Sequence, residues 1–242
     1  MPLKTSFALP RIAPIVPVSR PVAVNDPSWL FEPKYDGLRG MVYLTRQSCS
    51  IYSMRGNRFS RFDELRRRIC AELPRREVIL DGEVVAIDDE GRVTFMDLMR
   101  GRGYLAFAAC DLLWLNGRDL RQLPLTQRKK RLERLIPVTT GTLVQVPCFE
   151  EHGRDLFEAA CRLDLEGIVA KRKADPYRYK DLCVLGQLAR RRHTFRGGSS
   201  HTLPPERALG FPCLLCGART RQPKHDRLRS GHRACAGRAA HR

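Results

Sequence analysis

Short apolar runs that end in tight turns recur along most of the chain and limit its fold more than any other feature. GMVYLTRQ at 40–47 and SIYSMRG at 50–56 are two such runs around a turn, and AFAACDLLWLNGRDL at 106–120 ends in an Asn-Gly turn. EVILDGEVVAIDDEGRVTF at 77–95 predicts two strands around an Asp-Asp-Glu-Gly turn, and RFDELRRRICAEL at 61–73 predicts an amphipathic helix. Strands that alternate irregularly with hairpins and helices predict an α+β domain built on antiparallel sheet, not a doubly wound parallel fold.

Composition divides the chain into three regions. Residues 1–28 are rich in proline and valine and are predicted to form an extended arm, whereas 29–180 carry the strand and helix patterns. Residues 181–242 hold 13 Lys and Arg against three Asp and Glu, and they sustain no period of 2 or 3.6. We expect this tail to be disordered or to be translated out of frame.

Charge and cysteine content narrow the class of protein. The formal net charge of +18 is compatible with binding of DNA or ATP, although a basic coding bias would give the same value. The chain has no apolar run of about 18 residues, and prolines interrupt its apolar start, so we expect a cytoplasmic protein with no membrane segment. Nine cysteines at irregular spacings predict free thiols rather than a disulfide framework.

The stretch FEPKYDGLR at 31–39 carries the most chemistry for its length. Lys34 lies two residues after Glu32 and two before the pair Asp36 and Gly37, and Arg39 closes the stretch. The pattern is ExKxDGxR. By itself, it would serve equally well as a strand that ends in an Asp-Gly turn with solvated charges.

Four further segments follow at intervals along the chain: SMRGN at 53–57, LDGEVV at 80–85, CDLLWLNG at 110–117 and EGIVAKR at 166–172. They contribute Glu83, Glu166 and Lys171. In this order the five segments resemble the covalent nucleotidyltransferases, the superfamily of ATP-dependent DNA ligases, RNA ligases and capping enzymes. From about Pro10 to Lys180 the chain is most similar to bacterial ATP-dependent DNA ligases, including ligase domains associated with double-strand-break repair.

The residue types suit this chemistry. Attack on the α-phosphorus of ATP needs an unprotonated amine, whereas a free lysine has a pKa of about 10.4. A divalent cation and neighbouring cationic groups favour the neutral amine. Carboxylates such as Glu83 and Glu166 are hard oxygen donors of the kind that Mg²⁺ takes.

The resemblance implies a role for each matched residue. Lys34 would be the nucleophile that carries AMP, and Glu32 would help to seat the adenine end. Arg39 and Glu83 would contact the sugar and the phosphate side, and Lys171 would steady the phosphates. Glu83 and Glu166 would hold Mg²⁺ or Mn²⁺. The expected fold is an antiparallel-sheet adenylation domain, and the expected protein is a monomer that seals nicked double-stranded DNA in repair, with double-strand-break repair proteins as partners.

The sequence also departs from the family pattern. Met54 stands where the family has arginine, although Arg55 follows it, and Cys110 stands where a phenylalanine stacks on adenine. Loss of such stacking costs about 1 to 3 kcal/mol. After Lys180 the chain has neither the WxKxK segment nor strands for an OB-fold domain, so both are expected to be missing.

Two other functions remain open from the residues. One is a catalytically impaired ligase remnant that binds nucleic acid nonspecifically, and the other is an RNA ligase or capping-type nucleotidyltransferase. The tail offers a zinc site as an alternative to out-of-frame translation, since it contains Cys213, Cys216, His225, His232 and Cys235. Their spacing matches no familiar zinc finger.

Overall fold

A computed structural model describes residues 9–20, 25–136, 141–163, 165–178 and 182–185. The strands are β1 Val18–Arg20, β2 Trp29–Lys34, β3 Leu38–Leu44, β4 Cys49–Ser53, β5 Val78–Ile87, β6 Tyr104–Leu115, β7 Arg118–Asp119, β8 Leu143–Gln145, β9 Phe149–Glu150, β10 Gly167–Arg172 and β11 Leu182–Leu185. The helices are α1 Asp63–Glu72, α2 Phe95–Arg100, α3 Leu125–Leu135 and α4 Gly153–Arg162. None of the described helices is long and apolar enough to cross a bilayer.

The strands form two sheets, which confirms the predicted α+β class. One has the order β1-β11-β10-β2-β9, and the other has the order β4-β3-β5-β6-β7 with β8 beside β6. The β1–β11 and β6–β8 pairs are parallel, and the other pairs are antiparallel. The predicted Asn-Gly hairpin joins β6 to β7, with φ of 48° at Asn116 and 84° at Gly117, as a type I′ turn requires.

Helices cover the outer face of each sheet, because these faces carry apolar side chains. Leu65 of α1, Leu98 of α2 and Leu132 of α3 pack in one core with the six-stranded sheet. In the same way Leu156 of α4 packs on Phe31 of the five-stranded sheet. The inner faces of the two sheets approach each other, and there the candidate site lies.

The segment after the 88–91 turn differs from the prediction. A second strand was expected there, but Val93 forms only an isolated bridge with Ile87. The reason is the next residue, because the Thr94 hydroxyl accepts a hydrogen bond from the Asp97 backbone N–H at 3.3 Å and starts α2. The start of α2 at Thr94 therefore limits the hairpin to one bridged pair of residues, Ile87 and Val93.

Both ends of the described chain are part of the folded domain. Ile12 and Ile15 of the arm are buried with Met41 of β3, so the arm contributes to the core as well as being extended. Strand β11 lies just after the boundary predicted at residue 180 and pairs with β10 and β1. The run is only four residues long and its parallel partner, β1, is distant in sequence, so the local pattern gives no strand signal there. The candidate zinc ligands lie outside the described residues, and the five cysteines whose side chains are described are free.

Candidate active site

A cavity of about 280 Å³ opens between the two sheets. Its lining includes five of the six residues that the motifs pointed to: Glu32, Lys34, Arg39, Glu83 and Lys171. Strand alternation explains why they converge, since successive side chains of a strand point to opposite faces. Glu32 and Lys34 are two residues apart on β2, and Arg39 of β3 lies directly opposite Glu83 of β5.

Lys34 is the last residue of β2, and its side chain is 24% exposed. Its ammonium forms an ion pair with Glu166, the sixth predicted residue. The pairing of β2 with β10 brings them together, because Lys34 lies opposite Gly167 in the register. The ammonium of Lys34, the predicted nucleophile, is therefore paired with a carboxylate at the edge of the cavity.

Arg39 is held by a residue that the motifs did not single out. Its Nε donates to Oδ1 of Asp81 at 3.0 Å and its Nη2 donates to Oδ2 at 2.7 Å, a bidentate pair. The Tyr177 hydroxyl donates to the same Oδ2 at 2.8 Å. Burial raises the pKa of Asp81, but Arg39, Lys171 and Tyr177 together outweigh it and hold that pKa below its usual value. Asp81 is therefore an anion that fixes one edge of the guanidinium.

Glu83 is the least satisfied carboxylate of the site. It has neither a hydrogen bond nor an ion pair with any residue in the described ranges, and burial raises its pKa to about 8. The cations Arg39 and Lys34 oppose this rise, whereas the anions Asp81 and Glu166 add to it. A half-buried carboxylate that forms no ion pair is suited to a divalent cation, so the residues present fit Mg²⁺ or Mn²⁺. Within the described ranges, no group of three or more His, Cys, Asp or Glu side chains could hold a metal ion by itself.

The raised pKa of Glu83 makes stability depend on pH. The fold favours the neutral acid, so its contribution is complete below the unfolded-state pKa of about 4.3 and is lost as pH rises through about 8. We expect metal-free Glu83→Gln to gain stability over the parent as pH rises from 5 to 9, by about 4 kcal/mol across this range. Denaturant unfolding across this range measures the gap. Glu90→Gln, at an exposed turn, is the control, and a gap that does not change with pH would contradict the assignment.

Glu32 lies between two lysines. Lys171 Nζ donates a hydrogen bond to Glu32 Oε2 at 2.7 Å. Lys129 Nζ lies 2.5 Å from Oε1 and forms an ion pair with it, but the angles are not those of a hydrogen bond. The carboxylate side chain is 2% exposed. Burial raises the pKa of Glu32, but the two ammonium groups lower it further than burial raises it. Burial lowers the pKa of Lys171, whereas the Glu32 and Asp111 carboxylates and the hydrogen bond to Glu32 raise it above the usual lysine value.

Helix α3 supplies two buried cations that the motif analysis missed. Arg128 makes a bidentate pair with Asp111 of β6 at 2.8 and 2.9 Å, and Lys129 reaches Glu32. The sequence did contain a signal for their burial. Leu125, Arg128, Lys129 and Leu132 have the spacing i, i+3, i+4 and i+7, which places both cations on the leucine face of the helix.

The two departures from the family pattern both border the cavity. Met54 and Cys110 line it together with Tyr35, Val146 and Val169. Burial raises the pKa of the Cys110 thiol to about 12, so it stays a small neutral group. The wall where the family has a phenylalanine therefore offers apolar contact but no aromatic ring at that position.

The two-sheet fold and this lysine cavity define the adenylation-domain class of ATP-dependent ligases. The chain belongs to the ATP-dependent DNA ligase domain family, whose sequence profile matches residues 14–181. A solved structure described as mycobacterial DNA ligase D complexed with ATP and MES has a TM-score of 0.64 and 28% identity, over 72% of this chain and 59% of that chain.

Bacterial end-joining proteins are among the relatives. The multifunctional non-homologous end joining protein LigD of Pseudomonas aeruginosa is 34% identical over 162 residues, which are 62% of this chain and 19% of that protein. The LigD of Mycobacterium bovis is 30% identical over 181 residues, which are 74% of this chain and 24% of that protein. The chain thus spans a quarter or less of the length of these two relatives.

Proposed function

We propose that Lys34 attacks the α-phosphorus of ATP and that AMP then passes to the 5′-phosphate of nicked double-stranded DNA. A bond forms between Lys34 Nζ and the α-phosphorus, while the bond from that phosphorus to the bridging oxygen breaks and pyrophosphate leaves. The ammonium first gives one proton to water, and the nitrogen loses a second proton to water when the N–P bond has formed. The observation that carries the proposal is the Lys34 amine at a cavity with Arg39, Glu83 and Lys171.

The other residues act on charge and position. Arg39 and Glu83 would contact the sugar and the phosphate side, and Lys171 would steady the phosphates, since fixed cations stabilise the charge that develops on them. Glu83 and Glu166 would hold a divalent cation, which would supply further positive charge when bound. Glu166 would then pair with that cation instead of with the Lys34 ammonium, and the Lys34 amine would be free to react. Glu32 would help to seat the adenine end, and its contacts give it the added task of holding Lys171.

Sealing would follow from the adenylated lysine. A 5′-phosphate oxygen of the DNA displaces Lys34 from AMP, and the amine takes up a proton. The 3′-hydroxyl then attacks the activated 5′-phosphate and gives its proton to water, a phosphodiester forms, and AMP leaves. The net charge of +18 supports binding of the DNA backbone, and the names of the relatives support end joining as the setting. We propose a cytosolic monomer that works with double-strand-break repair proteins.

Incubation with α-labelled ATP and Mg²⁺ tests the first step. We expect a labelled protein whose bond survives alkali and releases AMP in acid, as a phosphoramidate does, and whose formation EDTA prevents. Unlabelled ATP should compete with the label and GTP should not; competition by GTP would favour a capping-type enzyme. A protein that unfolds cooperatively but takes no label would be a catalytically impaired remnant. Addition of nicked duplex should convert the adduct to AMP–DNA, which tests transfer separately.

A further inference from the structure

Tyr177 connects the N-terminal arm to the cavity by a chain of buried hydrogen bonds. The Ile15 backbone N–H donates to the Tyr177 hydroxyl at 3.2 Å, and this hydroxyl donates to Asp81 Oδ2 at 2.8 Å. Asp81 in turn binds Arg39 through both carboxylate oxygens. The ring is 8% exposed, and the Tyr177 backbone N–H donates to the Arg121 carbonyl at 2.7 Å, so the tyrosine itself is fixed.

We propose that Tyr177 is a positioning residue for ATP binding, which acts through Asp81 on Arg39. Asp81 Oδ2 receives hydrogen bonds from both Arg39 and Tyr177, so the hydroxyl fixes the carboxylate plane against which the guanidinium is aligned. Arg39 Nη1 has no hydrogen bond among the described residues, and the Arg39 side chain lines the cavity. The edge of Arg39 that can meet ATP is thereby oriented by a tyrosine that does not line this cavity. The inference rests on the function proposed above.

The chain offers a matched control in Tyr43. Its hydroxyl accepts from the Ile12 backbone N–H at 2.9 Å, so it ties the same arm to the sheet, but it makes no hydrogen bond to Asp81. Tyr177→Phe and Tyr43→Phe each remove one hydroxyl that is bonded to the arm. Only Tyr177→Phe also removes a donor from the carboxylate that holds Arg39.

The test measures adduct formation against ATP concentration. We expect Tyr177→Phe to raise the half-saturating ATP concentration about tenfold with little change in the maximal rate, and Tyr43→Phe to change it less than about twofold. In an Arg39→Ala background, Tyr177→Phe should add less than about twofold, because the two residues act in one path. An unchanged half-saturating concentration, an equal effect of Tyr43→Phe, or full additivity with Arg39→Ala would each overturn the proposal.

A second measurement needs no ATP and separates this inference from the proposed function. In ¹⁵N-labelled protein the Arg39 Nε–H, which is bonded to Asp81 at 3.0 Å, should give a slowly exchanging signal that Arg39→Ala removes. We expect exchange of this proton to be about tenfold faster in Tyr177→Phe and unchanged in Tyr43→Phe. Equal exchange in both variants would refute the positioning role even if the parent forms the adduct. If the parent protein forms no labelled adduct but Tyr177→Phe still speeds exchange of the Arg39 Nε–H, the proposed function is wrong and the coupling of Tyr177 to Arg39 is confirmed.

Discussion

A Lys34→Ala protein is expected to form no AMP adduct, a loss of at least about 10³-fold in the rate of labelling. The amine nitrogen is the atom that bonds to phosphorus. Lys171, the other lysine that lines the cavity in the described part of the chain, is held against Glu32 and cannot replace it. Labelling with α-labelled ATP measures the loss. Retention of the label by Lys34→Ala would show that another residue carries AMP and would remove the basis for the proposed reaction.

Two further variants separate the lost nucleophile from lost charge and lost fold. Lys34→Arg keeps a cation beside Glu166 but replaces the amine by a guanidinium, which is protonated at any working pH, so it too should remain unlabelled. Lys130→Ala removes an exposed lysine from α3 and should label at the rate of the parent. We expect all three variants to unfold close to the parent midpoint, since the Lys34 pair is partly exposed.

A Glu32→Gln protein is expected to be destabilised by about 3 to 5 kcal/mol, because the change leaves two buried ammonium groups facing a neutral amide. The side chains of Lys129 and Lys171 are 6% and 9% exposed, so water cannot replace the lost carboxylate. Denaturant unfolding at pH 7 measures the change in the free energy of unfolding. The lysines lower the pKa of Glu32 in the fold, so its contribution is complete above the unfolded-state pKa of about 4.3 and is lost as pH falls from there through the lower folded-state pKa. The gap between the two proteins should therefore narrow in acid.

Glu150→Gln is the matched control for Glu32→Gln. Glu150 also pairs with a lysine, Lys173, at 2.7 Å, but its side chain is 62% exposed. An exposed pair contributes about 0 to 1 kcal/mol, so this variant should lose less than about 1 kcal/mol. Equal losses at the two positions would mean that burial of Glu32 between two lysines has no special energetic weight.

Local sequence patterns predicted much of the fold and most members of the site. The apolar runs gave β3 to β6, the Asn-Gly pair gave the hairpin at 116–117, and the helix period at 61–73 gave α1. The motifs named six residues, and the structure brings them to one cavity or its edge. These features were accessible because each depends on residues within one strand, turn or helix, where spacing alone determines which face a side chain occupies.

Only the tertiary structure decided which charges meet across the sheets. The Tyr177 bond to Asp81 joins residues 96 apart in sequence, and the Lys171 bond to Glu32 joins residues 139 apart. Spacing placed Lys129 on the buried face of α3, but it could not show that Glu32 would lie opposite it. Strand β11 has this origin on one side, because its parallel partner, β1, lies at the other end of the described chain. The period of a sequence determines which side of a strand or helix a residue lies on. Which residue it contacts on that side is determined by how elements distant in sequence pack together.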